Sequence, residues 1–193
     1  TMNPLHGRRK FGSIGQVLAP QELAILDDEG RPLPAGATGE IGLRGETVMR
    51  GYFRDEDNTR KAFVDGWFRS GDMARRDEDG FVFIVGRRKE MILRGGENIS
   101  PLEIEQVAGR HPAVREAAVV GLPDPVWGES VGLAVVADAP VSAEELREFC
   151  RAELSAFKVP ERVAFVEALP RNAMGKVLRG ALRASFAAPA AGA

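Results

Sequence analysis

The sequence predicts an α+β fold in two parts: a small, mostly-β subdomain over residues 1–86, then a C-terminal α+β domain over 87–186 whose short sheet is flanked by helices. Three observations predict it. Up to Gly86 the chain is a series of short apolar stretches broken by Gly and Pro, the pattern of strands and tight turns. Beyond it, strands alternate with segments of helical period. Between the two lies Gly86–Glu105, where a charged run gives way to an apolar strand, the pair Gly95-Gly96 and a complete helix start. Ser100 is placed as N-cap, Pro101 at the first helical position and Glu103 to close a capping box. The stretch reads as a joint between two units. Residues 187–193, rich in Ala with one Pro and one Gly, read as a disordered tail.

Thr1–Gly15 lacks a period and carries four Gly or Pro residues besides the basic run Arg8-Arg9-Lys10, so it reads as a loop with a solvated charge cluster. Glu22–Asp27 and Ile41–Arg44 are strands on either side of the turn Asp28-Glu29-Gly30. Gly39, Gly42, Gly45 and Gly51 suit bulges and tight bends. Asp55–Phe63 reads as a short surface helix with acidic residues at its start. Trp67-Phe68-Arg69-Ser70-Gly71-Asp72 reads as a strand end that leaves the core and presents the Asp72 carboxylate at a tight turn. Such a carboxylate suits a vicinal diol, because it accepts two hydrogen bonds at once; taken alone, Asp72 is better read as an ordinary turn residue. Met73–Arg76, the turn Asp77-Glu78-Asp79-Gly80 and Phe81–Val85 make a hairpin.

After the joint, Ser100–Arg110 is helical and ends at His111-Pro112. Val114–Gly121 is a strand, Leu122–Gly128 a loop, and Ser130–Ala137 a buried strand with a nearly continuous apolar run. Ser142 and Glu145 form a second capping box, opening a helix whose apolar face is Leu146, Phe149, Cys150 and Leu154. Arg162–Val166 is another strand. Leu178, Ala181, Leu182 and Phe186 mark a final amphipathic helix. Before it, the loop Leu169–Lys176 carries Lys176 where a point cation can be delivered and withdrawn, although a single surface lysine is usually only solvated.

Composition narrows the function classes. The 193 residues carry 44% hydrophobic side chains, enough for a packed core. A net charge of -2, from 26 basic and 28 acidic groups, gives no overall attraction to nucleic acid or an anionic membrane. Cys150 is the only cysteine, which excludes an intrachain disulfide and falls at a core position. His6 and His111 lack partners at ligand spacing, so no metal site built by this chain is expected. With no secretory signal and no apolar run long enough to span a bilayer, the expected compartment is the cytoplasm.

Individually these signals are weak, but they fall in a specific order. Thr38-Gly39-Glu40-Ile41, Gly51-Tyr52, Trp67–Asp72, Gly86-Arg87 with Lys89, Arg94-Gly95-Gly96-Glu97-Asn98-Ile99, Pro101 with Glu103-Ile104-Glu105, Pro123-Asp124 with Trp127-Gly128-Glu129, and Gly175-Lys176 with Arg179 follow one another along the chain. That ordered set resembles the adenylate-forming superfamily of acyl-CoA synthetases, nonribosomal adenylation domains and luciferases. The resemblance covers nearly the whole chain. It implies that Asp72 binds the ribose hydroxyls of ATP and AMP, that Arg87 assists beside the same nucleotide, and that Lys89 is the hinge about which the C-terminal domain rotates between half-reactions. It implies that Lys176 contacts the acyl carboxylate and the α-phosphate, and that Gly95 and Gly96 line the pantetheine path of CoA. Phe157 and Lys158 align with a segment that meets the CoA nucleotide in some relatives; the alternative is a strand lead-in that packs Phe157.

The implied function is that of an acyl-CoA ligase acting on a small-molecule carboxylic acid with ATP, CoA and Mg²⁺. Two alternatives stand beside it: an adenylation domain that loads a carrier protein, and a non-catalytic interaction module of the same fold. The family's phosphate loop and its aromatic-Gly-x-Thr-Glu segment have no counterpart here. The chain is therefore expected to be a C-terminal fragment that is inactive alone, with the missing N-terminal part as its partner and as the main holder of Mg²⁺.

Overall fold

The computed structural model describes residues 1–186, and the expected disordered tail lies outside the described residues. The chain has a mixed α/β fold and divides into two compact units, Thr1–Lys89 and the part from Glu90 onward. Each unit is built around one five-stranded sheet.

In the first unit β1 (Glu22–Leu26) pairs antiparallel with β2 (Thr38–Arg44), and β2 pairs antiparallel with β4 (Trp67–Arg76). The far side of β4 is shared. β3 (Phe63–Val64) takes its first residues, and β5 (Val82–Arg87) takes it from Asp72 onward. The helix α1 (Glu56–Ala62) precedes β3 and starts where Asp55 accepts the Asn58 N–H, with Glu56 and Asp57 in the first turn, as its acidic opening predicts. Leu23, Ile25, Ile41, Ala74 and Val82 pack together in one apolar cluster, while Ala24, Leu26 and Trp67 form another. The alternation along β1 thus feeds both faces of the sheet.

One expectation fails here. Asp72 does not sit at a turn where a strand ends, because β4 continues through it to Arg76. The local signal of Ser-Gly-Asp is absorbed instead as a bulge: Glu40 stands opposite Met73 and Gly42 opposite Arg69, so β4 carries surplus residues around Gly71, whose φ is 77°. Pairing along both edges keeps the strand running where the residue types alone favour a break.

In the second unit β6 (Ile92–Arg94) and β7 (Glu97–Ile99) form a hairpin, followed by α2 (Pro101–Ala108). The long hairpin of β8 (Val114–Asp124) and β9 (Gly128–Ala137) is the centre of this sheet. α3 (Ala143–Arg151) then crosses over so that β10 (Arg162–Phe165) runs parallel to β9, and α4 (Arg179–Leu182) comes last. Ser100 accepts the Glu103 N–H at the start of α2, and the Ser142–Glu145 capping box is complete at α3. The apolar run of β9 is continuous because both its faces are covered. Val131, Leu133 and Val135 pack with Ile104, Val107, Leu146 and Cys150, whereas Ala134 and Val136 pack with Leu169, Leu182 and Phe186. Burial also pushes the Cys150 thiol above its ordinary value, as suits a core position.

Two boundaries differ from expectation. Leu122–Gly128 is not a loop throughout: β8 extends to Asp124 because Leu122 is buried on the sheet, and the turn closes only where Asp124 accepts the N–H groups of Val126 at 2.9 Å and Trp127 at 2.8 Å. These bonds hold the Asp124 carboxyl below its ordinary range. The final helix is shorter than its periodicity predicts, with a 3₁₀ turn over Arg183–Phe186 completing α4. Gly180 weakens that helix, and Leu182 and Phe186 are buried while Leu178 and Ala181 remain exposed.

Candidate functional site

Three groups of residues on the two units carry chemistry. On the first unit, Asp72 of β4 stands in register with Arg87 of β5, and Arg87 Nε lies 2.9 Å from Asp72 Oδ1. The cross-strand pair is half-open to solvent. One bond from Arg87 leaves most of the carboxylate's acceptor capacity available, and Arg87 keeps further N–H donors for an anion. The Asp72 N–H donates to Ser70 Oγ at 3.1 Å.

Behind this pair is a residue that sequence reasoning cited only as part of a motif. Glu40 of β2 is buried, and its carboxylate accepts from Gly71 N at 2.9 Å and Arg69 Nε at 2.7 Å and pairs with Arg88 at 3.0 Å. It is shared by two guanidinium groups, of which Arg88 also pairs with Asp28 at 2.7 Å, and it holds the backbone of the bulge directly before Asp72. The available signal was an acidic residue inside an otherwise uncharged run, Gly39–Leu43. Lys89 follows as an exposed residue within the 3₁₀ turn Arg88–Glu90, at the end of the first unit.

On the second unit, Gly95 and Gly96 make the two-residue turn between β6 and β7. Their φ values, 57° and 90°, are both positive, which a tight hairpin of this kind requires and which Gly supplies without strain. Gly95 N donates to the Trp127 carbonyl at 2.8 Å, and a side chain on Gly95 would meet the indole at 2.9 Å. The two glycines are exposed beside a half-exposed Trp127, so the backbone is open to close approach. Phe157 is not packed away. Its 3₁₀ turn Ala156–Lys158 leaves it exposed, and Lys158 Nζ is bound by both carboxylate oxygens of Glu103 at 2.7 and 2.8 Å.

Lys176 closes a small hairpin-like loop. Asn172 Oδ1 accepts the N–H groups of Met174 at 3.0 Å and Lys176 at 2.9 Å, Gly175 takes a φ of 80°, and Arg171 bridges to Val177. The loop is therefore ordered by its own Asn rather than merely flexible. The Lys176 side chain is 53% exposed, and its amine lies 3.3 Å from Glu90 Oε1. Asp72 and Arg87 are thus brought together on the first unit, while Gly95, Gly96 and Lys176 belong to the second, where their neighbours differ. Among the described residues no group of three or more His, Cys, Asp or Glu is placed to hold a metal ion. No described helix is long and apolar enough to cross a membrane.

Comparison with known proteins decides the family. Residues 1–53 match the AMP-binding enzyme model, and residues 103–176 match the AMP-binding enzyme C-terminal domain. The chain belongs to the adenylate-forming superfamily of AMP-binding enzymes. A sulfoacetate–CoA ligase of Cupriavidus necator is 46% identical over 92% of the chain, which covers 35% of that protein. The ATP-bound MatB structure from Rhodopseudomonas palustris superposes with a TM-score of 0.89 at 38% identity, over 95% of this chain and 37% of that one. The o-succinylbenzoate CoA synthetase of Bacillus subtilis, solved with an acyl-adenylate intermediate, gives a TM-score of 0.85 at 40% identity, over 90% of this chain and 36% of that one. The chain spans little more than a third of the length of these relatives.

Proposed function

We propose that this chain is the C-terminal part of a cytoplasmic acyl-CoA ligase, which activates a carboxylic acid with ATP as acyl-AMP and passes the acyl group to CoA, releasing AMP and pyrophosphate. The observation that carries the reading is the Asp72–Arg87 pair, a partly exposed carboxylate with capacity for a vicinal diol and a half-exposed guanidinium directly beside it. Relatives named as CoA ligases support the choice of acceptor.

In this reading Asp72 accepts hydrogen bonds from the ribose hydroxyls, and Arg87 orients that carboxylate and adds positive potential near the nucleotide. Attack of a carboxylate on the α-phosphate brings negative charges together, and the Lys176 ammonium stabilises the transition state electrostatically. When bound, Mg²⁺ would supply screening of the pyrophosphate charge, and no cluster of the described residues is placed to hold it, so its ligands would come mainly from the rest of the protein. The exposed Gly95-Gly96 turn then lets the narrow pantetheine arm pass close to the backbone. Lys89 is the hinge that exchanges the two half-reactions. The 193 residues alone do not adenylate, since the acid pocket and the phosphate loop lie in the remainder of the protein.

Lys176→Ala in the full-length protein tests this assignment. Loss of one positioned charge at the reacting oxygens lowers single-turnover acyl-adenylate formation by about 10²–10³-fold. Transfer of the acyl group from preformed acyl-adenylate to CoA stays near wild type. Unchanged adenylation in the variant would remove Lys176 from the mechanism.

A further inference from the structure

Glu90 lies outside the residues assigned above, yet its carboxylate faces the one lysine on which the first half-reaction depends. Glu90 Oε1 is 3.3 Å from Lys176 Nζ, and Glu90 Oε2 is 3.3 Å from a terminal nitrogen of Arg179. The Glu90 side chain is 19% exposed and that of Lys176 is 53% exposed, so the acid is fixed and the amine is the movable partner. Arg179 is anchored independently: it pairs with Glu105 at 2.6 Å and donates from Nε to the Val119 carbonyl at 3.2 Å. Glu105 in turn accepts the Val119 N–H at 2.8 Å, which ties the group to β8. All of these residues lie in the second unit, so the cluster travels as one body whatever that unit does.

We infer that Glu90 is a positioning residue that holds Lys176 in reserve, and that this contact must open before the amine serves the adenylation step. The inference rests on the assignment of Lys176 proposed above. Its physical basis is charge. An ammonium paired with a carboxylate is a neutral unit and does little for a transition state that gathers negative charge; the same ammonium released is a full cation. Release does not strand Glu90, because it keeps Arg179; the cluster passes from two cations for two carboxylates to one guanidinium bridging both. A buried acid whose only partner left would resist the opening; this one does not. The amine sits at the end of a loop braced by Asn172, so departure needs only rotation of the long lysine stem.

The test uses the full-length protein and single-turnover acyl-adenylate formation with saturating acid and ATP. Glu90→Gln keeps the shape and removes the charge. It is expected to speed adenylation by about two- to fivefold at low ionic strength, the range that a half-exposed ion pair of ordinary strength allows. The gain shrinks toward unity at high salt, where the wild-type pair is itself screened, and it disappears in a Lys176→Ala background. Glu90→Asp retains the charge on a stem one methylene shorter and falls between wild type and Glu90→Gln; it gives the direction of the effect should the glutamine variant fold poorly. A gain below twofold, a loss, or a gain that persists without Lys176 or at high salt overturns the inference. Failure of the underlying assignment looks different, since Lys176→Ala alone would then adenylate normally.

Discussion

Removal of the Glu40 carboxylate would leave Arg69 without this carboxylate partner, Arg88 with Asp28 alone and the Gly71 amide without its acceptor, in a place where only 4% of the Glu40 side chain reaches water. Glu40→Ala is expected to lower the unfolding free energy of the full-length protein by about 2–4 kcal/mol in a denaturant titration, the range for breaking a buried charged network from one side. Glu40→Gln is milder, because its amide oxygen still accepts one of the bonds. On the nucleotide-binding role proposed for Asp72, the same change also reaches function, because Asp72 is one residue beyond the amide that Glu40 holds. KM for ATP should rise more than kcat falls in Glu40→Gln, whereas equal falls in kcat and kcat/KM would place the residue in the chemical step instead.

Among the elements, the β6–β7 turn separates two costs that glycine avoids. Alanine at either position meets the strain of a positive φ, about 1–2 kcal/mol for an L residue. At Gly95 it also meets the indole of Trp127, while at Gly96 a Cβ has nothing within 4 Å. Gly95→Ala should therefore change the emission of the half-exposed Trp127 and Gly96→Ala should not, with the buried Trp67 as the constant background. Equal spectra for the two variants would mean that the indole does not rest on the turn.

The elements also show what was legible in the sequence. Caps placed α2 and α3 and an acidic opening placed α1, because Ser100, Ser142 and the acidic residues from Asp55 onward act on their own helix starts, within a few residues. Asp72 was readable as a residue and misread as a position, since what keeps β4 running past it is pairing with strands distant in sequence. Leu122 was lost to a loop for the same reason: its burial depends on residues as far along the chain as Leu182 and Phe186. Glu40 and Glu90 left almost no signal, because their roles arise from which arginines and lysine the fold brings to them.

At the scale of the whole molecule, the division after Lys89 matters most. Two compact units meet in sequence at the short 3₁₀ turn Arg88–Glu90, and Lys89 is exposed within it. On the hinge role proposed for Lys89, rotation between the units would be absorbed by a few backbone dihedrals, and a residue whose side chain is in solvent is free to supply them without disturbing a core. Proline fixes φ near -65° and restricts the residue before it. In the full-length protein, Lys89→Pro should therefore fix one working arrangement. Adenylation, followed by pyrophosphate exchange, and thiol transfer, followed from preformed acyl-adenylate, are expected to part company. One stays within a few-fold of wild type and the other falls at least about tenfold, the amount by which loss of a conformational step of about 1.4 kcal/mol or more is felt. Overall turnover follows the slower of the two. If Lys89 were an ordinary surface residue, neither half-reaction would change; if the substitution merely unfolded the turn, both would fall together, and the Glu90→Gln effect on Lys176 would vanish with them.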